Sequence, residues 1–447
     1  MSMGQEKMIK GKKVALISLG CPKNLVDSEI ILGKLGQAGC ILTSSYQISD
    51  IIIINTCSFI NEARKESYEV ISKVIRHKSS GQKLIVCGCL PQLEKRKLFY
   101  KFPQINALLG SGDFYKIEEI IKKLFTTSNR IFSISTPEFI YTSDYPRFVS
   151  TPPGYAYLKI AEGCSNRCSY CLIPYLRGKF RSRNTEDVIR EAKNLASMGI
   201  KEIILIAQDT TYYGQDRKEK SYLLSLLEKL EKIDSIKWIR LLYLHPLHFN
   251  FKLINLMQNS SKICRYLDIP IQHTHNEILK LMGRPPFELV EKIIDRAREK
   301  IPEIVIRTTV MVGFPGEKPY HFNKLLSDVE RLEFDWLGVF TYSPEKGTPA
   351  FSLPCRVSSQ VKNKRKEEIL QLQKSITLKK NLKRVGENYD VLVDIPSNSH
   401  LKEGEGHSWF QTPEIDGKIL FRENYPAGSI FRGKVVSIKD TYDLCVK

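Results

Sequence analysis

Apolar residues in the first third of the chain come in short runs that alternate with longer stretches of helical periodicity. The runs KKVALIS, DIIIIN and KLIVCG are rich in β-branched residues and end at turn residues, which predicts buried strands of a parallel sheet. Between them, residues 28–39 and 62–77 repeat apolar side chains every three to four positions, which predicts amphipathic helices. Residues 12–132 are therefore predicted to form an α/β domain.

The alternation is interrupted once and then resumes. Residues 133–153 are rich in Ser, Thr, Pro and Tyr, and we interpret them as a linker. From residue 155 to about 342, further strand-like runs are each separated by a helical stretch, which predicts a partial (β/α) barrel within a domain of residues 150–378. The five clearest of these runs are KEIILIAQ, KWIRLLYL, YLDIPIQ, EIVIRTTVMVG and WLGVFTY.

The last part of the chain has a different pattern. Residues 358–384 predict a charged helix, and residues 385–447 contain many short strand-like runs, Gly/Pro turns and little helical periodicity. That combination predicts a small β-barrel in a domain of residues 380–447. The predicted fold class is thus α/β: an amino-terminal α/β domain, a central partial barrel and a small carboxyl-terminal β-barrel.

Length and hydropathy agree with this organisation. A chain of 447 residues, 42% of them hydrophobic, is enough for about three packed domains. The longest apolar runs are far shorter than the roughly 20 residues of a membrane-spanning helix, and the polar start lacks the apolar core of a signal peptide. We therefore expect a cytoplasmic protein with no membrane partner, in a compartment that keeps thiols reduced.

Charge is distributed unevenly. The whole chain has a formal net charge of +19, whereas residues 385–447 contain seven Lys/Arg and ten Asp/Glu, a net charge of −3. A terminal module that binds RNA phosphates is normally basic. The acidic balance, and the carboxylates of Glu414 and Asp416 in a turn expected to be exposed, favour a basic protein loop over tRNA as the partner.

Three cysteines lie within eight residues in the segment AEGCSNRCSYC. Cys164, Cys168 and Cys171 follow a strand-like run and have the spacing Cys-x3-Cys-x2-Cys, with no obvious fourth ligand nearby. Thiolates bind soft metals, and an iron–sulfur cubane normally takes four cysteines. The triplet therefore predicts a cluster with one iron open to a substrate or cofactor, the alternative being a structural zinc site completed by a distant His or Cys.

A second triplet is spread along the first domain. Cys21, Cys57 and Cys89 each follow one of the predicted strands. Parallel strands would deliver all three thiols to one edge of the sheet, where a second open cluster is predicted. The remaining five cysteines lack that setting and are predicted to be small buried hydrophobic residues; they are Cys40, Cys87, Cys264, Cys355 and Cys445.

These motifs resemble a known family over nearly the whole chain. Cys-x3-Cys-x2-Cys with Tyr170 before its third cysteine is the signature of radical S-adenosylmethionine (SAM) enzymes. The two triplets together resemble the methylthiotransferase branch of that superfamily, most closely its RimO type, whereas the sibling MiaB type acts on tRNA. The supporting segments are LGCPKNLVDSE (19–29), LDIPIQH (267–273), LKLMGRP (279–285) and VGFPGE (312–317).

The resemblance implies a specific chemistry. It implies two 4Fe-4S clusters, S-adenosyl-L-methionine as cofactor, six barrel units and a carboxyl-terminal TRAM domain. One SAM would methylate a sulfur on the amino-terminal cluster, and a second, cleaved at the other cluster, would provide a radical. The implied reaction is methylthiolation of the β-carbon of an aspartate in ribosomal protein uS12, free or in the assembled small subunit, with a flavodoxin- or ferredoxin-like electron donor.

Candidate cofactor contacts come from the ends of barrel strands and from the Cys-rich loop. Tyr170 lies inside that loop, and Gln208 and Asp209 end the run IILIAQD, although an Asp before a Thr is equally an ordinary helix cap. Gly313 and Gly316 would let the backbone approach an adenine ring, or would simply form a turn.

Two other functions compete with this interpretation. A tRNA-adenosine methylthiotransferase of the MiaB type would use the same clusters. A non-catalytic, metal-stabilised RNA-binding or ribosome-assembly protein would use both triplets structurally. Closed zinc sites are colourless whereas iron–sulfur clusters absorb broadly in the visible range, so an optical spectrum separates the catalytic and structural classes.

Overall fold

The computed structural model describes residues 9–217, 222–397 and 403–447. It contains two compact units. The first comprises Met1–Ser150, Lys159–Asn166 and Cys171–Val188, and the second comprises Thr151–Leu158, Arg167–Tyr170 and Ile189–Lys447. The predicted α/β fold class is confirmed.

The regular elements are as follows. The strands are β1 (Lys13–Ser18), β2 (Ile41–Leu42), β3 (Ile51–Thr56), β4 (Lys83–Gly88), β5 (Ala107–Gly110), β6 (Ile131–Ser133), β7 (Tyr155–Lys159), β8 (Ala161–Glu162), β9 (Arg181–Ser182), β10 (Glu202–Ile206), β11 (Trp238–Leu241), β12 (Tyr266–Asp268), β13 (Val305–Val312), β14 (Trp336–Thr341), β15 (Asn388–Ile395), β16 (Gly404–His407), β17 (Ile419–Phe421), β18 (Ile430–Lys439) and β19 (Asp443–Val446). The helices are α1 (Pro22–Gln37), α2 (Asn61–His77), α3 (Cys89–Glu94), α4 (Lys97–Lys101), α5 (Ile117–Thr126), α6 (Ile173–Arg177), α7 (Thr185–Ser197), α8 (Tyr222–Leu230), α9 (Lys252–Asn259), α10 (Asn276–Met282), α11 (Phe287–Lys300), α12 (Pro319–Leu332) and α13 (Ser359–Leu382).

The first unit is built on a six-stranded parallel sheet with the order β2-β1-β3-β4-β5-β6. Strand β3 is buried along its whole length, as its unbroken run of isoleucines predicts. The helix predicted over residues 28–39 begins earlier, at Pro22, because proline at the first helical position sacrifices no hydrogen bond. Helix α2 matches its predicted position within one residue.

The second unit contains the partial barrel. Strands β11, β10 and β7 form one sheet and β12, β13 and β14 form another. A parallel bridge between Ile239 and Ile263, and a hydrogen bond of 2.9 Å from Leu244 N to Asp268 O, join β11 to the β12 side. The order β7-β10-β11-β12-β13-β14 confirms the prediction of six barrel strands.

A small closed barrel follows the long helix α13. Its strand order is β15-β16-β17-β19-β18, and every pairing is antiparallel except that of β17 with β19. The charged helix predicted over residues 358–384 is confirmed within two residues at each end. The predicted carboxyl-terminal β-barrel is confirmed.

Residues 407–416, here called the plug segment, run across the amino ends of the central barrel strands. His407 contacts Glu202, the first residue of β10, and the indole N–H of Trp336, the first residue of β14, donates to Phe410 O at 2.9 Å. Arg240 of β11 donates to the carbonyl of Trp409 at 2.8 Å. The plug segment thus closes the end of the barrel opposite the edge where barrel active sites lie.

The acidic turn of the plug segment differs from its prediction. Glu414 is exposed, but the Asp416 side chain is only 2% exposed. Tyr266 OH donates to Asp416 Oδ2 at 2.7 Å, and Arg307 Nε lies 3.4 Å from Asp416 Oδ1. The expectation that both carboxylates are available to a basic partner is therefore wrong for Asp416, because this carboxylate serves the packing of the plug segment.

The passage over residues 133–153 contains no helix or strand beyond β6, as expected of a linker, yet it is anchored within the first unit. Arg147 Nε donates to Glu29 Oε2 at 2.8 Å, and Ser150 N donates to Glu29 Oε1 at 2.7 Å. Ser135 N likewise donates to Asp113 Oδ2 at 2.7 Å.

The cysteines outside the triplets follow the prediction only in part. Cys40, Cys87 and Cys264 are buried, whereas Cys445 is half-buried and Cys355 is exposed. The prediction of burial is wrong for Cys355, which lies in an irregular stretch between β14 and α13. None of the helices in the described ranges combines the length and the apolar character that crossing a membrane requires.

Candidate metal centres

The amino-terminal triplet lies at one edge of the six-stranded sheet. Cys21 precedes α1, Cys57 follows β3 and Cys89 opens α3 directly after β4. Strands β1, β3 and β4 are neighbours and run parallel, so their carboxyl ends deliver the three residues to the same edge. All eleven cysteines of the chain are free thiols.

Gly20 allows the Cys21 loop to approach Cys57 closely. A Cβ atom added to Gly20 would lie 2.5 Å from Cys57 Cβ and 2.9 Å from Cys57 Sγ, and the residue has φ = +91°. Burial, followed by the neighbouring thiols of Cys89 and Cys21, raises the pKa of Cys57 to about 12. The three thiols are therefore mutually close, and the Cys57 thiol is a poor acid without a metal. Their soft sulfur donors fit an iron–sulfur cluster.

The second triplet is distributed over both units along eight residues of chain. In the first unit, Cys164 is 8% exposed and its backbone N–H donates to Gly178 O at 3.0 Å. The Sγ atom of Cys171 accepts a hydrogen bond of 3.4 Å from the backbone N–H of Ile173. A Cβ atom on Gly163 would lie 2.2 Å from Lys179 O, so this turn requires glycine.

Cys168 belongs to the second unit, where the segment LKLMGRP supports it. Arg284 Nη1 lies 3.9 Å from Cys168 Sγ. Ser169 N donates to Met282 O at 2.9 Å, and its hydroxyl donates to Leu281 O at 2.7 Å. A Cβ atom on Gly283 would lie 2.7 Å from Arg167 O, so the segment and the Cys-rich loop are packed backbone against backbone.

Tyr170 packs into an apolar group beside Cys168. Its ring lies 6.5 Å from that of Phe314 in an edge-on arrangement, and Ile278 and Met282 belong to the same group. The aromatic ring is thus held by this apolar group, whereas Arg284 contacts the Cys168 thiol directly.

Asp209 acts as a cap, the alternative that the sequence left open. Its Oδ1 atom accepts from Thr211 Oγ1 at 2.6 Å and from Tyr212 N at 3.2 Å, and its Oδ2 atom contacts His248 Nδ1 at 2.7 Å. Burial opposes ionisation, but the hydrogen bond from His248 and the nearby histidines hold the pKa of Asp209 below its usual value. Gln208 immediately precedes this cap at the carboxyl end of β10.

Asp209, His245 and His248 place their ligand atoms within 4.8 Å of one another, as a metal site would. The hydrogen bonds argue against one, because His245 Nδ1 accepts from Leu247 N at 3.2 Å. The Nε2 atom of His245 then carries the proton and cannot coordinate a cation. This Nε2 has no hydrogen-bond partner within the described ranges, and burial and Arg284 lower the pKa of His245 to about 3. The His245 side chain is therefore a neutral hydrogen-bond donor at the carboxyl end of the barrel strands.

Gly313 and Gly316 form a tight turn after β13. Their φ angles are +72° and +88°, and Gly313 N donates to Glu317 Oε2 at 2.7 Å. A Cβ atom on Gly313 would lie 2.2 Å from Lys362 Cγ. The turn alternative thus accounts for both glycines from contacts within the chain.

Comparison with known proteins adds the family. The model "Uncharacterized protein family UPF0004" matches residues 13–110, and the model of the radical SAM superfamily matches residues 158–329. A protein of Pelotomaculum thermopropionicum named "Ribosomal protein uS12 methylthiotransferase RimO" is 46% identical, with 93% of this chain and 94% of that protein covered. The chain belongs to the RimO-type family of radical SAM methylthiotransferases.

Other RimO-type proteins match as extensively. That of Caldicellulosiruptor saccharolyticus is 46% identical, covering 91% of this chain and 93% of its own length. That of Acetivibrio thermocellus is 43% identical, with 97% of each chain covered. As members of a radical SAM family, such enzymes use 4Fe-4S chemistry and SAM.

A solved structure shares the fold. The radical SAM methyltransferase TsrM from Kitasatospora setae, with cobalamin and a 4Fe-4S cluster bound, has a TM-score of 0.57 over 76% of this chain and 77% of that one. Its identity of 15% makes this a likeness of fold alone.

The sequence does not assign a role to three residues of this RimO-type chain that have notable contacts. Arg177 lies in the basic stretch LRGKFRSR, whose cations could serve a cofactor carboxylate, ribosomal RNA or a solvated surface; His245 follows the run KWIRLLYL, and Arg284 lies within LKLMGRP. The sequence offered one indication of such a role, which is that a charged or histidine side chain directly follows a strand or a cysteine loop. Its significance depends on partners distant in sequence, such as Asp27 for Arg177 and Cys168 for Arg284.

Proposed function

We propose that this chain attaches a methylthio group to the β-carbon of an aspartate in ribosomal protein uS12. The observation that carries the proposal is the identity of 42–46%, over 91–97% of the chain, to proteins named for the uS12 reaction. The two separate cysteine triplets, one in the amino-terminal domain and one in the Cys-rich loop, support the same chemistry.

Each triplet holds one 4Fe-4S cluster in this proposal, giving two clusters. Cys21, Cys57 and Cys89 hold the first, and Gly20 keeps their loops in close approach. Cys164, Cys168 and Cys171 hold the second. Three ligands leave one iron of each cluster open to exogenous atoms.

When bound, SAM and its cluster would supply the radical chemistry that an aliphatic C–H bond requires, because such a bond is too weakly acidic for a side-chain base. The residues of this chain orient and shield the reacting groups. Arg284 lies against Cys168, Tyr170 is held two residues further along the loop by its apolar group, and His245 presents its Nε2–H at the carboxyl edge of the barrel. Enclosure restricts the radical to its substrate.

Five positions are proposed to contact SAM: Tyr170, Gln208, Asp209, Gly313 and Gly316. Tyr170 and Gln208 are the stronger candidates. Asp209 is a weaker candidate, because it already accepts three hydrogen bonds within the chain. For Gly313 and Gly316, only a backbone contact remains compatible with the turn they form.

The proposal extends to organisation and partners. The functional domains are residues 12–132, 150–378 and 380–447, the last being a TRAM domain. The enzyme works in the cytoplasm on uS12 or the assembled small subunit, and a flavodoxin- or ferredoxin-like protein supplies electrons.

The test is mass spectrometry of ribosomal proteins from cells with and without this chain. We expect uS12 to carry a modification of about +46 Da on one aspartate only when the chain is present, since one C–H becomes C–SCH₃. Expression of Cys57→Ala provides the matched inactive control. An unmodified uS12 together with a methylthiolated tRNA adenosine would contradict the proposal.

A further inference from the structure

Arg177 is a buried cation beside the amino-terminal triplet, although it follows the other triplet in sequence. It ends helix α6, six residues after Cys171, and is 3% exposed. Its Nη1 donates to Asp27 Oδ2 at 2.5 Å, and its Nη2 donates to Asn24 Oδ1 at 3.0 Å. Both acceptors lie in the first turns of α1, directly after Cys21, so the guanidinium is held against the base of the cysteine edge.

Helix α6 also packs against Cys89. Leu172 and Leu176 form a buried apolar group with Cys89, and Ser111 Oγ donates to the carbonyl of Leu176. These contacts hold helix α6 in place, and the hydrogen bonds to Asp27 and Asn24 hold the Arg177 guanidinium. The side chain is therefore preorganised rather than mobile.

The guanidinium interacts with the thiols themselves. It lies close enough to interact with the Cys89 side chain, and it interacts electrostatically with Cys21 and Cys57. Within the Arg177–Asp27 ion pair, the guanidinium is thus the member that lies toward the thiol edge.

A second cation completes the charge balance. Lys159 bonds to Asp27 and lies 2.6 Å from Glu162 Oε2, while Glu162 lies 3.5 Å from Arg177. The two cations match the two carboxylates, and all four side chains are at most 7% exposed. The four side chains are neutral as a group, so their effect on the cluster comes from the guanidinium as the member nearest the thiols. Asp27 and Asn24 leave other N–H groups of Arg177 available to sulfur.

We propose that Arg177 is the fixed positive counter-charge of the cluster bound by Cys21, Cys57 and Cys89, and that it raises the reduction potential of this cluster. The inference rests on the proposed two-cluster function. Adding an electron to an anionic, thiolate-bound cluster is easier beside a cation and beside hydrogen bonds to sulfur. The competing role is purely structural, with Arg177 only holding α1 to α6.

The test uses the full chain with Cys164, Cys168 and Cys171 replaced by Ala, so that only the amino-terminal cluster is observed. The reconstituted cluster is titrated with reductant and followed by EPR and visible absorption. In this background, Arg177→Met should lower the potential by about 59 mV, equal to a tenfold change in the ratio of reduced to oxidised cluster at a given potential. Arg177→Lys keeps the charge, so its reduction potential should lie close to that of the parent.

Arg183→Met is the matched control. Arg183 is equally buried and lies six residues further along the chain, but it donates to Asp187 Oδ2 at 2.6 Å and to Lys159 O at 3.0 Å. Its replacement should leave the potential unchanged. Iron loss in Arg177→Met with retention in Arg177→Lys would also support a requirement for the charge.

Three results would overturn the assignment. The first is an unchanged potential in Arg177→Met with a full complement of iron. The second is loss of iron from both Arg177 variants but not from the control, which would make the role structural. The third is the absence of any cluster in the parent, in which Arg177 is intact. That result would contradict the two-cluster function itself, and the lack of iron in the parent distinguishes it from the other two.

Discussion

His407 Nε2 lies 2.6 Å from Glu202 Oε2, and its Nδ1 lies 2.8 Å from Asp394 Oδ2. One imidazole thus joins the first residue of barrel strand β10 to strand β15 of the terminal barrel. Burial opposes a charge on this ring, but the two carboxylates outweigh it and raise the pKa of His407 to about 9. The ring is therefore a cation at neutral pH.

The first prediction concerns the pH dependence of stability. Because the folded-state pKa of His407 lies above its unfolded value of about 6.5, its contribution is complete below pH 6.5 and is lost as the pH rises through 9. We expect His407→Gln to lower the free energy of unfolding by on the order of 3 kcal/mol at pH 7, and much less at pH 10. Urea unfolding at a series of pH values measures this.

The exposed His77 provides the control for that series. His77→Gln should leave the pH profile of the parent unchanged. A His407→Gln profile parallel to that of the parent between pH 7 and 10 would show that the ring is neutral in the folded state.

The second prediction concerns the number of clusters. Replacing Cys164, Cys168 and Cys171 by Ala should reduce bound iron and sulfide by about half, because one of two cysteine-bound clusters is lost. Cys57→Ala should remove the other half and abolish methylthio transfer while reductive cleavage of SAM persists. Complete loss of iron in either variant, or no loss, would refute two independent sites.

The third prediction concerns Gly20. Gly20→Ala should displace Cys57, because the added Cβ would lie 2.5 Å from Cys57 Cβ. We expect the iron content to fall toward the value of Cys57→Ala. Gly11→Ala separates steric overlap from backbone strain, since Gly11 also has positive φ, +79°, but nothing within 4 Å of an added Cβ. Equal iron contents in the two glycine variants would rule out the close approach of Cys21 and Cys57.

Much of this arrangement was predictable because its signals are local. Runs of β-branched residues gave the parallel strands, and cysteines at their ends gave the thiol edge. The partners of Arg177 were not predictable, since Asp27 lies 150 residues away and nothing in LRGKF distinguishes a buried arginine from a solvated one.

The plug segment was missed for a similar reason. TPEIDG has the composition of an exposed turn, and burial of Asp416 depends on Tyr266 and Arg307 at the amino ends of two barrel strands. A count of charges does not distinguish a carboxylate used in packing from one offered to a partner.

The fourth prediction concerns this carboxylate. Asp416→Ala should destabilise the protein by about 1–3 kcal/mol, because the Tyr266 hydroxyl and the Thr412 N–H lose their acceptor in a buried site. The exposed Glu423→Gln should change stability by less than about 0.5 kcal/mol. Thermal unfolding of the two variants side by side makes the measurement. A stable Asp416→Ala variant with weakened, salt-dependent substrate binding would restore the role of Asp416 as a surface charge.

The fifth prediction, and the most direct measurement, is methylthio transfer by the purified, cluster-reconstituted enzyme. Reductant and SAM are supplied, and small ribosomal subunits and tRNA are offered in separate reactions, with Cys57→Ala as the matched control. Mass spectrometry should show an addition of about +46 Da on one aspartate of uS12, absent from the control, and unmodified tRNA. Methylthiolated tRNA adenosine with untouched uS12 would contradict the account.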